Sequence, residues 1–317
     1  MAMTWRQLAR ASSVIVALGV AAACGHAAPA ARVRPLVGVT LLTETHMFYK
    51  AMEDALRSEA AAKNMDLAIV SCEMDPAKQA SQFEDFVTQK VDAILAAPCD
   101  SNAVVPYVQA ATAAGIPVFT ADIAAHGGGV VSHIASDNVE GGRLAARTLA
   151  ALIGGKGDVI IIDHPEVSSV QDRVRGFEEE LKKFPGVRIV QRPSASGQRA
   201  KAMAAMEDML QAQRGLKGVF GINDDSALGA LSVLEAAKRT DIAIVGFDAT
   251  DEAQAAIRRG SSLKADIMQH PDQIGRTAID IIARKLAGET VPAIVAVPVS
   301  VFDAQGPATR PAAAPSR

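Results

Sequence analysis

Short polar side chains follow several of the apolar runs in this chain. Carboxylates and amides accept and donate hydrogen bonds in a fixed plane, which suits adjacent hydroxyl groups. A single Asp or Asn after a strand is commonly only the N-cap of the next helix. Because the same chemistry recurs at six strand ends, we expect a crevice for a small polyhydroxylated molecule. The residues concerned are Thr43, Glu44, His46, Asp122, Asp163, His164, Asn223, Asp224, Asp248 and Gln269.

One aromatic pair accompanies these polar residues. Phe48 and Tyr49 are adjacent and follow the first apolar run, in a chain that is only 4% aromatic. Two rings on a helix face commonly belong to a hydrophobic core, whereas rings in a crevice stack on the apolar face of a sugar. The sequence leaves both interpretations open.

Motifs for catalysis or cofactor binding are weak. Gly127, Gly128 and Gly129 lack the strand-to-helix context of a dinucleotide loop and indicate a turn. No G-x-S-x-G elbow and no Cys/His metal spacing occur in the sequence. His133 lies within an apolar run and is interpreted as a buried histidine with a hydrogen-bond partner. We therefore expect no enzyme, metal or cofactor, and a hydrolase using two crevice carboxylates is a remote alternative.

The elements that must position these residues are short apolar strands alternating with amphipathic helices. This pattern is typical of βαβ units and of parallel sheets that are buried on both faces, with ligands beyond the carboxyl ends of the strands. Residues 118–142 indicate the place where one α/β lobe passes into a second. Predicted strands cover 36–41, 67–70, 93–96, 118–120, 130–135, 159–162, 188–190, 219–222, 242–247, 263–268 and 293–301. Predicted helices cover 48–62, 77–89, 102–114, 170–183, 200–211, 227–237 and 273–286, and another begins at 139.

The two ends of the chain differ from this pattern. Residues 1–31 are predicted to be a signal peptide, because Arg6 and Arg10 precede an uncharged apolar run. Cys24 is either a lipidation site, which would be the chain's only membrane attachment, or part of a leader cleaved among the following alanines. Removing two arginines from 32 basic residues leaves 30 against 35 acidic ones, and this net charge of −5 gives no support for nucleic-acid binding. Residues 305–317 are predicted to be a disordered tail.

Cys72 and Cys99 end two different predicted strands. An oxidising compartment would permit a disulfide, but nothing in their spacing indicates that the two residues meet. Two unpaired, largely buried thiols are the preferred interpretation, and pairing is left open.

Four segments resemble the ribose-binding protein family, the periplasmic solute-binding proteins of sugar ABC transporters. They are VVSHIASDN at 130–138, NDDSALGAL from Asn223, IVGFD from Ile244 and HPDQIG from His270. The resemblance covers about residues 35–303. It implies an α/β fold of two Rossmann-like, doubly wound parallel-sheet lobes that close on a ligand by hinge motion. It places three crossings near 136–137, 269–270 and 298–299, an N-terminal lobe at 35–136 plus 270–298, and a C-terminal lobe at 137–269 plus 299–304.

The resemblance also assigns roles to individual residues. Family positions that hydrogen-bond sugar hydroxyls match Asp122, Asn223, Asp248 and Gln269, and those of the stacking rings match Phe48 and Tyr49. His46 stands where the family often has Asn, and Thr43 belongs to the same segment.

Three departures distinguish this chain from the ribose binders. Ile123 and Gln171 replace family arginines, and 196–197 replaces an aromatic residue, although Arg173 could still present a guanidinium from the same helix. Fewer charge-assisted hydrogen bonds and less stacking area disfavour ribose itself. We expect another monosaccharide, a sugar alcohol or a cyclitol.

The resemblance implies a monomeric, periplasmic, non-enzymatic protein that delivers its ligand to an ABC transporter permease. The alternative is a periplasmic ligand sensor that presents its closed form to a chemoreceptor or a receptor kinase. The sequence does not separate these two roles.

Overall fold

The computed structural model describes residues 33–307. The predicted signal peptide with Cys24, and residues 308–317 of the predicted tail, lie outside the described residues. The described chain is an α/β fold with two sheets, as the alternation of apolar strands and amphipathic helices predicted.

The strands are short, and their central residues are largely apolar and buried, as expected for sheets covered by helices on both faces. They are β1 (Leu36–Leu41), β2 (Asp66–Ser71), β3 (Ala93–Ala96), β4 (Val118–Ala121), β5 (Ser132–Ser136), β6 (Lys156–Ile162), β7 (Gly186–Gln191), β8 (Leu216–Gly221), β9 (Ala243–Asp248), β10 (Leu263–Met268), β11 (Ile294–Val297), β12 (Ser300–Asp303) and β13 (Gly306–Pro307).

The helices lie between these strands and bury one apolar side each. They are α1 (Met47–Ala62), α2 (Pro76–Gln89), α3 (Val105–Ala113), α4 (Asn138–Leu152), α5 (Ser168–Leu181), α6 (Arg199–Ala212), α7 (Asp224–Ala236), α8 (Asp251–Arg258) and α9 (Pro271–Leu286). Within residues 33–307, no helix is long and apolar enough to cross a membrane.

Both sheets use the same doubly wound strand order. The first runs β11-β5-β4-β3-β1-β2 and is parallel throughout. The second runs β13-β12-β10-β9-β8-β6-β7 and is parallel from β10 to β7, with β12 and β13 added antiparallel. The strand order reverses at β1/β3 and at β6/β8, and such switch points open crevices at the carboxyl ends of the strands.

The chain passes between the two sheets at three places. β5 belongs to the first sheet, and α4 after it packs on β9 and β10 of the second. The chain returns from β10 to α9, which packs on α1, and crosses again from β11 to β12. The run at 293–301, predicted as one strand, is therefore two strands in different sheets, because the chain turns at Pro298 and Val299 between them.

Two further expectations about the elements need correction. Helix α8 was not predicted, because its buried residues Ala253, Ala256 and Ile257 include only one large apolar side chain. The predicted disordered tail begins too early, since Gly306–Pro307 pairs with β12 in a hairpin. The backbone N–H of Gln305 donates to Asp303 Oδ1 across the turn of this hairpin.

Cys72 and Cys99 form a disulfide with their Cα atoms 6.7 Å apart, so the preference for free thiols was wrong. β2 and β3 flank β1 in the sheet, and the segments that leave their carboxyl ends meet over the end of β1. Sequence spacing alone carries no information about this proximity.

Candidate functional site

A cavity of about 460 Å³, including its opening to solvent, lies at the carboxyl ends of the strands of both sheets. This volume is within the range of small-molecule sites. The lining residues come mainly from the segments that follow β1, β2, β4, β6, β7, β8, β9 and β10. They are Leu42, Thr43, His46, Phe48, Tyr49, Met74, Asp122, Ile123, His164, Val167, Ser169, Val170, Arg173, Gly197, Ile222, Asn223, Asp248 and Gln269.

Asp122 follows β4 and has a left-handed backbone conformation with φ of 63°. Its carboxylate accepts a hydrogen bond of 2.6 Å from the Tyr49 hydroxyl, and the Arg173 guanidinium lies 4.0 Å from its other oxygen. Burial raises the pKa of Asp122, and the Arg173 charge opposes that rise. Burial and the neighbouring carboxylate raise the pKa of Tyr49 well above its ordinary value, so the phenol remains the donor.

Arg173 is only 4% exposed and spans from the second sheet towards Asp122. Its Nε donates to Asn138 Oδ1 at 2.9 Å and its Nη1 donates to the Ile222 carbonyl at 2.7 Å. The guanidinium lies 3.9 Å from the centre of the Phe247 ring. These contacts fix the group in a plane, so that Nη2 faces Asp122 and the cavity.

Asp248 ends β9 and forms the second carboxylate of the cavity. Gln269 Nε2 donates to its Oδ1 at 2.6 Å, and His46 Nε2 lies 3.4 Å from its Oδ2. His46 is also the N-cap of α1, where its Nδ1 accepts from the Phe48 N–H. Asn223 likewise combines two roles, because its Oδ1 caps α7 and its Nδ2 donates to the Gly197 carbonyl.

Two oxygens that face the cavity are buried without a protein donor. They are Asp122 Oδ1 and Gln269 Oε1. A buried acceptor without a partner costs about 1–3 kcal/mol, so both atoms favour a bound molecule with hydroxyl or amino donors.

Part of the cavity wall is apolar. Phe48 and Tyr49 meet edge to face with ring centroids 5.2 Å apart. Ile123 is 1% exposed and contributes to the wall together with Val167 and Val170. A ligand with both C–H faces and hydroxyl groups fits these surroundings.

The structure brings ten of the predicted site residues together around this cavity. They are Thr43, His46, Phe48, Tyr49, Asp122, Ile123, Arg173, Asn223, Asp248 and Gln269. Gln171 lies outside the cavity, because its amide donates to the Pro165 carbonyl. Three of the predicted strand-end residues, Glu44, Asp163 and Asp224, do not line the cavity either. Positions 169, 170 and 173 share the cavity side of α5, whereas position 171 is about 200° away from 173 around the helix.

Other lining residues were missed or only partly foreseen. Met74 and Gly197 follow β2 and β7, and extending the rule of strand ends to every strand would have found them. Val167 is the N-cap of α5, Ser169 and Val170 lie in its first turn, and none of the three directly follows a predicted strand. His164 was among the strand-end residues, and burial lowers its pKa below the ordinary value.

Hydrogen bonds connect the two sides of the cavity mouth. The Ser168 N–H donates to Ser101 Oγ, and Ser168 Oγ accepts from the Ala124 N–H at 2.7 Å. Gln198 Nε2 lies 3.1 Å from Met74 Sδ. Ser101, Ala124 and Met74 follow strands of the first sheet, while Ser168 and Gln198 follow strands of the second, so these contacts join the loops of the two sheets.

In the part of the chain that the structure describes, no group of three or more His, Cys, Asp or Glu side chains is arranged to hold a metal ion. His133 is mostly buried, and its Nδ1 lies 2.9 Å from Thr120 Oγ1, as expected for a histidine of the interior. Burial lowers its pKa to about 4.

Comparison with known proteins places this fold and site in a family. A family model described as a periplasmic binding protein domain matches residues 37–290. The chain belongs to this periplasmic binding protein family. Its fold is accordingly the type I fold of that family, with two doubly wound sheets.

Several periplasmic binding proteins are similar over most of their length. The ribose import binding protein of Bacillus subtilis is 33% identical over 266 residues, which are 84% of this chain and 86% of the relative. A Mycobacterium smegmatis solute-binding protein solved with glycerol is 34% identical with a TM-score of 0.82, over 86% of this chain and 95% of that one. A Bacillus halodurans protein solved with myo-inositol is 26% identical with a TM-score of 0.80, over the same shares.

Proposed function

We propose that this chain is a periplasmic solute-binding protein that captures a monosaccharide, a sugar alcohol or a cyclitol and delivers it to an ABC transporter permease. The similar proteins include one named for ribose import and others solved with a polyol and a cyclitol. All are named as binding proteins. We propose that this chain has no catalytic activity and is a monomer.

The observation that carries this proposal is the pair of unpartnered acceptors, Asp122 Oδ1 and Gln269 Oε1, beside an aromatic pair in one cavity. Neighbouring hydroxyl groups of a polyol satisfy such acceptors, and its C–H face packs on the rings. A substrate without donors would leave these atoms unpaired and bind less tightly by about 1–3 kcal/mol for each.

The side chains around Ile123 favour ligands other than ribose among these candidates. Ile123 offers no hydrogen bond, and Gly197 offers no ring, where the ribose-type pattern has an arginine and an aromatic residue. Arg173 retains one guanidinium at the cavity. We propose a ligand with fewer polar groups on the Ile123 side, such as a deoxy sugar or a short sugar alcohol.

We also propose that the two sheets mark two lobes, residues 35–136 plus 270–298 and residues 137–269 plus 299–304. The positions of β11 in the first sheet and β12 in the second support this division. Hinge motion at the three passages would open the cavity to ligand.

Titration calorimetry of the purified mature protein against pentoses, hexoses, deoxy sugars, alditols and inositols tests the proposal. We expect saturable binding of at least one compound with Kd around micromolar, which corresponds to about −8 kcal/mol. Asp122→Ala should remove that binding, whereas Asp241→Ala, a change of an exposed aspartate away from the cavity, should leave Kd unchanged. No saturable binding anywhere in the panel would overturn the proposal, and chemical conversion of a ligand would contradict the non-enzymatic role.

A further inference from the structure

Three carboxyl groups lie close together beside the cavity, but only one of them lines it. Asp248 faces the cavity, while Asp224 at the start of α7 and Asp266 in β10 lie behind it. Asp224 is 2% exposed and Asp266 is fully buried. Buried carboxyl groups without a cation in contact are costly, so a role for Asp224 and Asp266 is required.

Both hidden carboxyl groups bind the turn that follows β9. Asp224 Oδ2 accepts from the Thr250 N–H at 2.7 Å and from the Thr250 hydroxyl at 2.5 Å. Asp266 Oδ1 accepts from the Ala249 N–H at 3.0 Å. The Asp224 N–H in turn lies 3.3 Å from Asp248 Oδ2, which it donates to. Asp224 and Asp266 therefore both hold this turn through hydrogen bonds.

This turn needs such support because its backbone is strained. Asp248 has φ of 123° and Ala249 has φ of 56°, both in a region that favours glycine. Conformations of this kind cost about 1–3 kcal/mol each and persist only where the surroundings enforce them. The strain sets the direction of the Asp248 carboxylate towards Gln269 and His46.

Each hidden carboxyl group also has one buried oxygen without a hydrogen-bond partner. These oxygens are Asp224 Oδ1 and Asp266 Oδ2, and the two side chains bind adjacent residues of the same turn. Two adjacent buried carboxylates do not both ionise, whereas one proton between them satisfies both oxygens. Burial and the charge of Asp248 raise the pKa of Asp224 to about 7, and burial and Asp224 raise that of Asp266 well above its ordinary value.

We propose that Asp224 and Asp266 share one proton and act as positioning residues, holding the strained turn at 248–250 so that Asp248 is aimed at the ligand. This inference rests on the proposed function of the cavity. The titratable and charged groups that face the assembly from neighbouring elements are Asp248 itself, His46 at the start of α1, and Asp225, which is paired with Arg199 of α6.

Removal of the shared proton at alkaline pH should loosen the turn. The pair would then carry two negative charges beside that of Asp248, and Kd of the wild-type protein should rise about tenfold or more between pH 6 and pH 9. Stability should follow the same direction, because the folded protein keeps a proton that an unfolded aspartate releases at its ordinary pKa. The free energy of unfolding is therefore highest at acidic pH and falls as pH rises through about 7.

The variant Asp266→Asn distinguishes the shared-proton mechanism from a role of Asp266 in packing alone. Its amide oxygen accepts from the Ala249 N–H and its amide nitrogen donates to Asp224 without a titratable proton. Calorimetry should measure the wild-type Kd for this variant at pH 6, and the Kd of the variant should not change between pH 6 and pH 9. Asp266→Ala, which removes both contacts, should raise Kd at least tenfold at every pH, with thermal unfolding run alongside to confirm a folded protein.

Amide hydrogen exchange of Ala249 and Thr250 in the absence of ligand provides a readout that does not depend on binding. Protection factors should fall between pH 6 and pH 8.5 in the wild-type protein and stay constant in Asp266→Asn. If no compound binds, the proposed function fails while exchange still tests the proton-sharing pair. If the wild-type protein and Asp266→Asn have the same pH profile in exchange or in Kd, or if Asp266→Ala binds normally, the positioning role is overturned.

Discussion

Arg173 brings a permanent positive charge to a cavity that also contains two carboxylates. Its guanidinium uses separate N–H groups for Asn138 and the Ile222 carbonyl while it faces Asp122. This geometry depends on a planar fork, and a lysine ammonium cannot reproduce it.

Arg173→Lys should therefore raise Kd for the ligand at least tenfold, or about 1.4 kcal/mol, and lower the melting temperature. Arg175→Lys is the matched control, because Arg175 lies on the same helix, is 55% exposed and pairs only with Asp172 at the surface. Calorimetry and thermal unfolding of the two variants give the comparison. Equal Kd for Arg173→Lys and the wild-type protein would show that the guanidinium does not organise the site.

Tyr49 contributes a hydroxyl as well as a ring. Tyr49→Phe keeps the edge-to-face contact with Phe48 but leaves Asp122 Oδ2 without its donor. Loss of this buried partner costs about 1–3 kcal/mol, so Kd should rise by one to two orders of magnitude.

Tyrosine emission provides a second measurement. The single tryptophan, Trp5, lies in the predicted signal peptide, so Tyr49 and Tyr107 are the emitters of the mature chain. Ligand should change the emission of the wild-type protein and of Tyr107→Phe, but not that of Tyr49→Phe. An unchanged ligand response in Tyr49→Phe would place the ring away from the ligand.

At the scale of elements, α4 and α5 form the closest helix pair of the second sheet. A Cβ added at Gly142 would overlap the Arg173 carbonyl and lie 2.9 Å from the Phe177 backbone nitrogen. The two helices can approach in this way only because the position has no side chain. The approach also sets the position of the α5 turn that carries Arg173.

Gly142→Ala should thus destabilise the protein by about 1–3 kcal/mol through overpacking and should weaken ligand binding by displacing Arg173. Gly215→Ala is the control, since the nearest atom to its added Cβ is 3.9 Å away. Urea unfolding monitored by circular dichroism measures the difference. A Gly142→Ala variant as stable as Gly215→Ala would mean that the helix pair separates without cost.

Sequence patterns predicted the positions of the strands better than the sheet to which each strand belongs. Runs of Val, Ile and Leu located β1, β3 and β10 at their observed bounds, because a strand buried on both faces is apolar throughout. Nothing local distinguishes a strand of the first sheet from one of the second, so β11 and β12 were merged. Helix α8 was missed for the related reason that alanines give little apolar periodicity.

One topological rule predicted most of the candidate site residues, and the same rule explains which residues were missed. Polar residues at strand ends were found because the carboxyl ends of parallel strands converge. Gln171 and Arg173 differ only in helical register, which a two-residue spacing leaves open. The pairing of Cys72 with Cys99 and the contact of Asp224 with Asp266 depend on long-range geometry, which the sequence does not contain.

For the whole molecule, the Cys72–Cys99 disulfide fastens the loops at one wall of the cavity. It closes a segment of 27 residues around β3 and α2. Cross-linking a loop of this length stabilises a protein by about 3–4 kcal/mol in the chain-entropy description.

The double variant Cys72→Ala/Cys99→Ala should lose about that free energy of unfolding in guanidinium titrations. Reductant should lower the free energy of unfolding of the wild-type protein towards that of the double variant. The double variant itself should be unaffected, and it serves as the control for nonspecific effects of the thiol reagent. Equal stability of the oxidised wild-type protein and the double variant would contradict this expectation.

The passage from β11 to β12 has a consequence for the order of events during biosynthesis. β11 completes the edge of the first sheet only at residue 297, and β12 and β13 complete the second sheet only at residue 307. A nascent chain that still lacks this segment exposes two unfinished sheet edges. The late arrival of these strands thereby delays completion of both sheets until nearly all of the described chain has been synthesised.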